Sequence, residues 1–155
     1  MSTSLLKTVA AFLLSCCFTF TGAAMAAERG SSDEATALVK KAVAYLKANG
    51  KDKAYAEFNN PAGQFKDRDL YIFVIDMAGM EWANGANQKI VGKNVLDLKD
   101  AEGKTMVKSF IDLAKTKGQG WIDYKWPNPA KGTVENKSTY LEKVDDVLVA
   151  CGIYK

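Results

Sequence analysis

Apolar positions recur along this chain at two different spacings, and the change from one to the other divides it into elements. Ala35, Leu38, Val39, Ala42, Val43 and Leu46 fall at the three- and four-residue intervals that line one side of a helix. Ser31 and Glu34 precede that stripe at the spacing of a capping box, and Gly50 stands where a glycine ends a helix. A long amphipathic first helix is therefore predicted, followed by a short helix over 52–58 that Asn59, Asn60 and Pro61 stop. At Leu70 the period changes. Residues 70–75 form an unbroken run of β-branched, aromatic and aliphatic side chains, the pattern of a strand covered on both faces. Asp76 to Gly79 turns the chain, and 80–83 is predicted to return as a short antiparallel strand.

Residues 84–103 are rich in Asn, Gly, Lys and Asp and read as an ordered connection. Met106, Val107, Phe110, Ile111 and Ala114 restore helical spacing, ended by Lys117 and Gly118. Three strands follow, over 120–126, 137–144 and 147–154, with a proline break at 127–129 and a tight turn at Asp145 and Asp146. The predicted class is α+β. A five-stranded, mainly antiparallel sheet carries the long N-terminal helix on one face, and short helices and a ligand pocket on the other.

The N-terminus has a third pattern. Lys7 precedes a stretch that is apolar or small from Thr8 to Phe20, and Ala24 and Ala26 supply the spaced small residues of a signal-peptidase site. The stretch falls short of the ~20 apolar residues that span a bilayer. Residues 1–26 are thus predicted to be a cleavable signal peptide, 27–34 a polar leader and 35–155 a single domain, with export to the periplasm. Leu13-Leu14-Ser15-Cys16 loosely resembles a lipobox, but the apolar stretch continues past Cys16, which favours the later site and argues against a lipid anchor.

Charge and composition narrow the chemistry. The chain carries 21 basic and 18 acidic side chains, too even a balance to indicate nucleic acid as partner. It has no histidine, which removes Ser-His, Cys-His and histidine-metal mechanisms. Loss of Cys16 and Cys17 with the signal leaves Cys151 alone, with no intramolecular disulfide and the character of a small buried hydrophobe rather than a nucleophile. Asp97, Asp100 and Glu102 miss the calcium-loop spacing and read as solvated turn residues; Gly92-Lys93 and Gly103-Lys104 lack the upstream glycine of a phosphate loop. No catalytic residue, metal site or cofactor is expected, and no membrane span after the signal.

The aromatic residues carry more. Alternation in the strand over 120–126 puts Ile122, Tyr124 and Trp126 on one face and Trp121, Asp123 and Lys125 on the other. Tyr124 and Trp126 combine apolar bodies with polar handles that need a partner when buried, so they read equally as core packing or as pocket lining. Lys137, three residues before Tyr140, reads by itself as an exposed strand-end charge and, at a pocket mouth, as the partner of a carboxylate through a charge-assisted hydrogen bond.

Taken in order, several segments resemble the extracytoplasmic single-Cache sensor domain (type 2), a PAS-like fold of bacterial chemoreceptors and sensor kinases. They are the run from Leu70 to Gly79, Gly92-Lys93-Asn94, the stretch from Asp100 to Gly103, the stretch from Gly118 to Trp121, that from Tyr124 to Pro127, that from Lys137 to Tyr140, and Gly152-Ile153-Tyr154. The resemblance implies a pocket for small carboxylates such as acetate, propionate, pyruvate or lactate. By similarity its lining is Tyr71, Phe73, Trp82, Tyr124, Trp126 and Tyr140, with Lys137 as the carboxylate partner. Family members often carry His-Pro at the end of the second strand, where Ala83-Asn84-Gly85 stands here.

The chain ends at Lys155 without a second apolar span, so the expectation is a binding module for a small organic acid. It would act with a membrane-bound sensor or transporter in signal transduction and chemotaxis. The alternative is an interaction scaffold of the same fold, its pocket plugged by Trp126, Trp82 or Met80.

Overall fold

The computed structural model describes residues 29–129 and 131–155. The expected signal segment 1–26, Cys16 included, lies outside the described residues. Helix α1 spans Ser32–Asn49. Its N-terminus is the predicted capping box: the Glu34 N–H donates to Ser31 Oγ at 3.3 Å, and the Ser31 N–H donates to Glu34 Oε2 at 2.8 Å. Gly50, at φ 77°, ends α1 and lets α2 (Lys51–Phe58) start at once in a new direction. Of the expected leader, the described residues from Arg29 on contact the domain. The Gly30 N–H donates to Asp69 Oδ1 at 2.7 Å, and Arg29 pairs with Glu135 at 3.3 Å.

Among the described residues six strands form the sheet: β1 (Lys66–Asp67), β2 (Leu70–Asp76), β3 (Glu81–Asn84), β4 (Gln119–Pro127), β5 (Val134–Val144) and β6 (Val147–Tyr154). All pairings are antiparallel, in the order β2, β6, β5, β4, with β1 and β3 both on β2. The predicted five become six because β1 is two exposed polar residues with no alternation to read. Helix α3 (Met106–Lys117) ends on Gly118 in the left-handed region, as its sequence requires.

The two faces divide by strand parity. Leu70, Ile72 and Val74 of β2 and Val147, Val149, Cys151 and Ile153 of β6 pack beneath Val39, Val43 and Leu46 of α1 and Phe58 of α2. Tyr71, Phe73 and Ile75 of β2, with Leu148 and Ala150 of β6, turn to the opposite face, where Val107, Phe110 and Ile111 of α3 cover them. This is why β2 and β6 show no polar break: each is buried on both sides. Cys151 is wholly buried on the α1 side, and burial pushes its thiol up to about 12, which leaves it inert at neutral pH. Among the described residues no helix is long and apolar enough to cross a membrane.

The loop between β3 and α3 closes the second face. Asp100, expected as a solvated turn residue, is 7% exposed; its Oδ1 accepts the N–H groups of Glu102 and Lys104, and its Oδ2 that of Lys125. It pins the loop to β4 and so holds Val95 and Leu98 over the sheet.

Candidate functional site

Between the sheet, α3 and this loop lies a tight cavity of about 30 Å³, room for no more than a water molecule or two as it stands. Ile75, Val95, Leu98, Met106, Val107 and Phe110 make its walls apolar. Lys137, Tyr71, Tyr124, Glu81 and Asn84 supply its polar groups.

Lys137 is 1% exposed. On β5 it lies between Tyr124 of β4 and Tyr154 of β6, its direct partners across the strands. Its stem runs across β6 at Gly152, and Nζ donates to Tyr71 Oη at 2.5 Å. The ammonium also sits over the rings of Tyr71 and Tyr154, 4.4 and 4.8 Å from their centroids. Among the described residues no carboxylate comes within 4 Å of it. The aromatic groups around it are themselves held. Tyr124 Oη and Thr139 Oγ1 share a hydrogen bond of 2.9 Å, and Tyr154 Oη donates to the Pro127 carbonyl at 2.9 Å. Burial pushes the Tyr124 phenol up to about 12 and raises those of Tyr71 and Tyr154, so all three remain neutral donors across the physiological range.

Gly152 makes this path possible. A Cβ there would fall well inside van der Waals contact of Lys137 Cε and 2.6 Å from Thr139 Oγ1. Gly152→Ala is expected to cost about 1–3 kcal/mol of stability by overpacking and to displace the ammonium, weakening anion binding about tenfold or more. Urea denaturation and calorimetric titration of the variant measure both; unchanged affinity would show that Lys137 does not need the gap.

Of the residues expected at the site, Tyr71, Phe73, Tyr124, Trp126 and Lys137 converge on the cavity, and Trp82 and Tyr140 do not. Tyr140 fails by parity. It is an odd number of positions from Lys137 on one strand, so it faces α1, beside Trp121 at 5.4 Å, and donates to Glu142 at 2.9 Å. Trp82 fails by a bulge. Phe73 pairs with Asn84 and Val74 with Ala83, but Ile75 pairs with Glu81, so Trp82 has no partner on β2. It turns outward, 44% exposed, stacks on Tyr55 and donates to Asp76 Oδ2 at 3.0 Å.

The bulge that expels Trp82 turns Glu81 inward, a residue the sequence did not single out. Glu81 is 2% exposed, and its Oε1 accepts from Asn84 Nδ2 at 2.8 Å. Burial pushes its carboxyl up to about 8, against the Asn84 hydrogen bond and the attraction of Lys137. The one advance signal was an acid within a short apolar strand. Gly152, Thr139 and Tyr154 were missed because their roles depend on which strands become neighbours.

Tyr71, Asn84, Ile90 and Trp126 also line an outer depression with Asn87 and Pro127. The cavity thus communicates with the surface between the loop after β3 and the end of β4.

Comparison with known proteins places this geometry. A family model, Single Cache domain 2, matches residues 22–155. The sensor histidine kinase MctS of Rhizobium johnstonii is 32% identical over 89 residues, a match covering 56% of this chain and 19% of the kinase, so the chain spans about a fifth of that relative's length. A methyl-accepting chemotaxis protein from Vibrio parahaemolyticus superposes with a TM-score of 0.68 at 25% identity, over 79% of this chain and 86% of the other. A Cache chemosensory domain whose structure explains carboxylic acid recognition superposes with a TM-score of 0.67 at 22% identity, over 79% and 92% of the respective chains.

Proposed function

The chain belongs to the single Cache domain 2 family of sensor domains, which bind ligands rather than transform them, and from that membership we propose that its cavity holds a short-chain carboxylate outside the cytoplasm. Residues 1–26 direct export, and occupancy of the cavity is passed to a membrane-bound sensor or transporter. One observation carries the reading: the ammonium of Lys137 is buried in the cavity with a hydroxyl and two ring faces around it but, among the described residues, no carboxylate within 4 Å. An ammonium taken out of water costs several kcal/mol unless it is paired, and a ligand carboxylate accepting from Nζ supplies the missing charge. The apolar wall of Val107, Phe110 and Met106 suits a short alkyl group, and the tightness of the space favours the smallest of these acids, with the wall giving way to admit it. The resemblance to a carboxylic-acid-recognising Cache domain supports the same class of ligand.

Isothermal titration of the protein with acetate, propionate, pyruvate and lactate tests the proposal. Saturable binding of at least one, with a negative heat-capacity change from apolar burial, is expected. No heat from any of them would leave a docking scaffold as the function of the fold.

A further inference from the structure

Lys137 is not the only ionisable group buried at the cavity. Glu81 lines it too, and its position is built rather than incidental. The bulge in β3 aims it inward. Asn84 then orients it: Asn84 Oδ1 accepts the N–H groups of Ala86 and Asn87 at 3.0 and 2.8 Å, which leaves its amide nitrogen facing Glu81 Oε1. The other groups on the cavity wall are few. β2 contributes Tyr71, β4 Tyr124 and β5 Lys137, while the wall residues of α3 and of the loop after β3 are apolar. The two phenols ionise only in strong alkali. Among the described residues lining the cavity, Glu81 and Lys137 therefore form the only oppositely charged pair, and they are not in contact as an ion pair.

One ammonium in a low-dielectric space neutralises one carboxylate. We propose that Glu81 is the charge-selecting residue of the cavity: ionised Glu81 and a ligand carboxylate compete for Lys137, so the cavity admits a singly charged carboxylate only while Glu81 is protonated, and rejects dicarboxylates. The inference rests on the carboxylate-binding reading above and goes beyond it by making occupancy depend on a proton. The direction follows from the burial of Glu81, which holds its carboxyl up to about 8. Below that pH the acid is neutral and the ammonium is available. Above it Glu81 becomes the counter-ion, and the ligand must either displace it or carry a proton in, which lowers affinity tenfold per pH unit. A dicarboxylate brings a second negative charge that finds no cation on the cavity wall.

Calorimetric titrations with propionate from pH 6.5 to 9.5, on the wild type and Glu81→Gln, test this. Propionate affinity in the wild type should hold to about pH 7.5 and fall about tenfold between pH 8.5 and 9.5, while Glu81→Gln, which keeps an oxygen for Asn84, stays flat. Succinate should bind the wild type at least a hundredfold more weakly than propionate at pH 7. A flat wild-type profile, an equal decline in Glu81→Gln, or succinate binding as tight as propionate would overturn this inference and leave carboxylate binding standing. No heat from any carboxylate at any pH would overturn both.

A ligand-free measurement stands beside it. The carbon-13 shift of the Glu81 carboxyl should titrate near 8 and move upward in Lys137→Met. A midpoint in the ordinary carboxylate range overturns the competition directly.

Discussion

Lys137→Met loses carboxylate binding by about thirtyfold or more and yields a domain no less stable than the wild type. Methionine nearly matches the length of the lysine stem, so it can lie across Gly152 as Lys137 does while removing the ammonium. In the ligand-free wild type that ammonium is buried against phenol hydroxyls and two aromatic faces, with no carboxylate within 4 Å among the described residues, and exchange of such a group for an apolar one of like volume is neutral or favourable. In the complex the balance reverses. A ligand carboxylate left without its cation forfeits about 2–5 kcal/mol, a loss in affinity of roughly thirty- to several-thousandfold. Thermal melting and calorimetric titration of one preparation read both effects. A variant that melts normally and still binds propionate with wild-type affinity would remove Lys137 from the site.

Glu81→Gln acts on stability, and its effect depends on pH. The carboxyl titrates at about 8 in the fold against an ordinary value of 4.5, because burial disfavours its charged form. Below pH 4.5 the residue is neutral both folded and unfolded and costs nothing. Between 4.5 and 8 the unfolded chain sheds the proton that the fold retains, so the penalty grows with rising pH and levels off above 8. At pH 7 the gap of about 2.5 pH units amounts to roughly 3 kcal/mol. Glutamine keeps the shape and an acceptor for Asn84 Nδ2, so Glu81→Gln should be more stable than the wild type by about that amount at pH 7 and by almost nothing at pH 4. Urea denaturation at the two pH values checks it; an equal gain at both would show that packing, not ionisation, sets the difference. The fold gives up stability at a position lining its own cavity, which is where functional sites commonly place such costs.

The helices and the two-sided burial of β2 and β6 were legible before any tertiary information, because each rests on interactions a few residues apart. The Ser31 and Glu34 cap, the glycines at 50 and 118 and the apolar stripes of α1 and α3 all work within one helix. Alternation likewise assigned Tyr124 and Trp126 to one face of β4, and those are the faces the cavity uses. Lys137 was identified as an anion partner from its residue type and the family resemblance. Its burial, and the gap at Gly152 through which it reaches Tyr71, depend on β5 lying beside β6 and β6 beside β2. Tyr140 could have been excluded by counting residues from Lys137. The exchange of Trp82 for Glu81 could not, since one bulged residue reverses the facing of what precedes it, and a bulge is a property of pairing between two strands rather than of either alone. Local pattern decided the elements and their buried sides; register, bulge and strand order decided which polar groups share the cavity, because those groups meet only across hydrogen-bonded neighbours far apart in the chain.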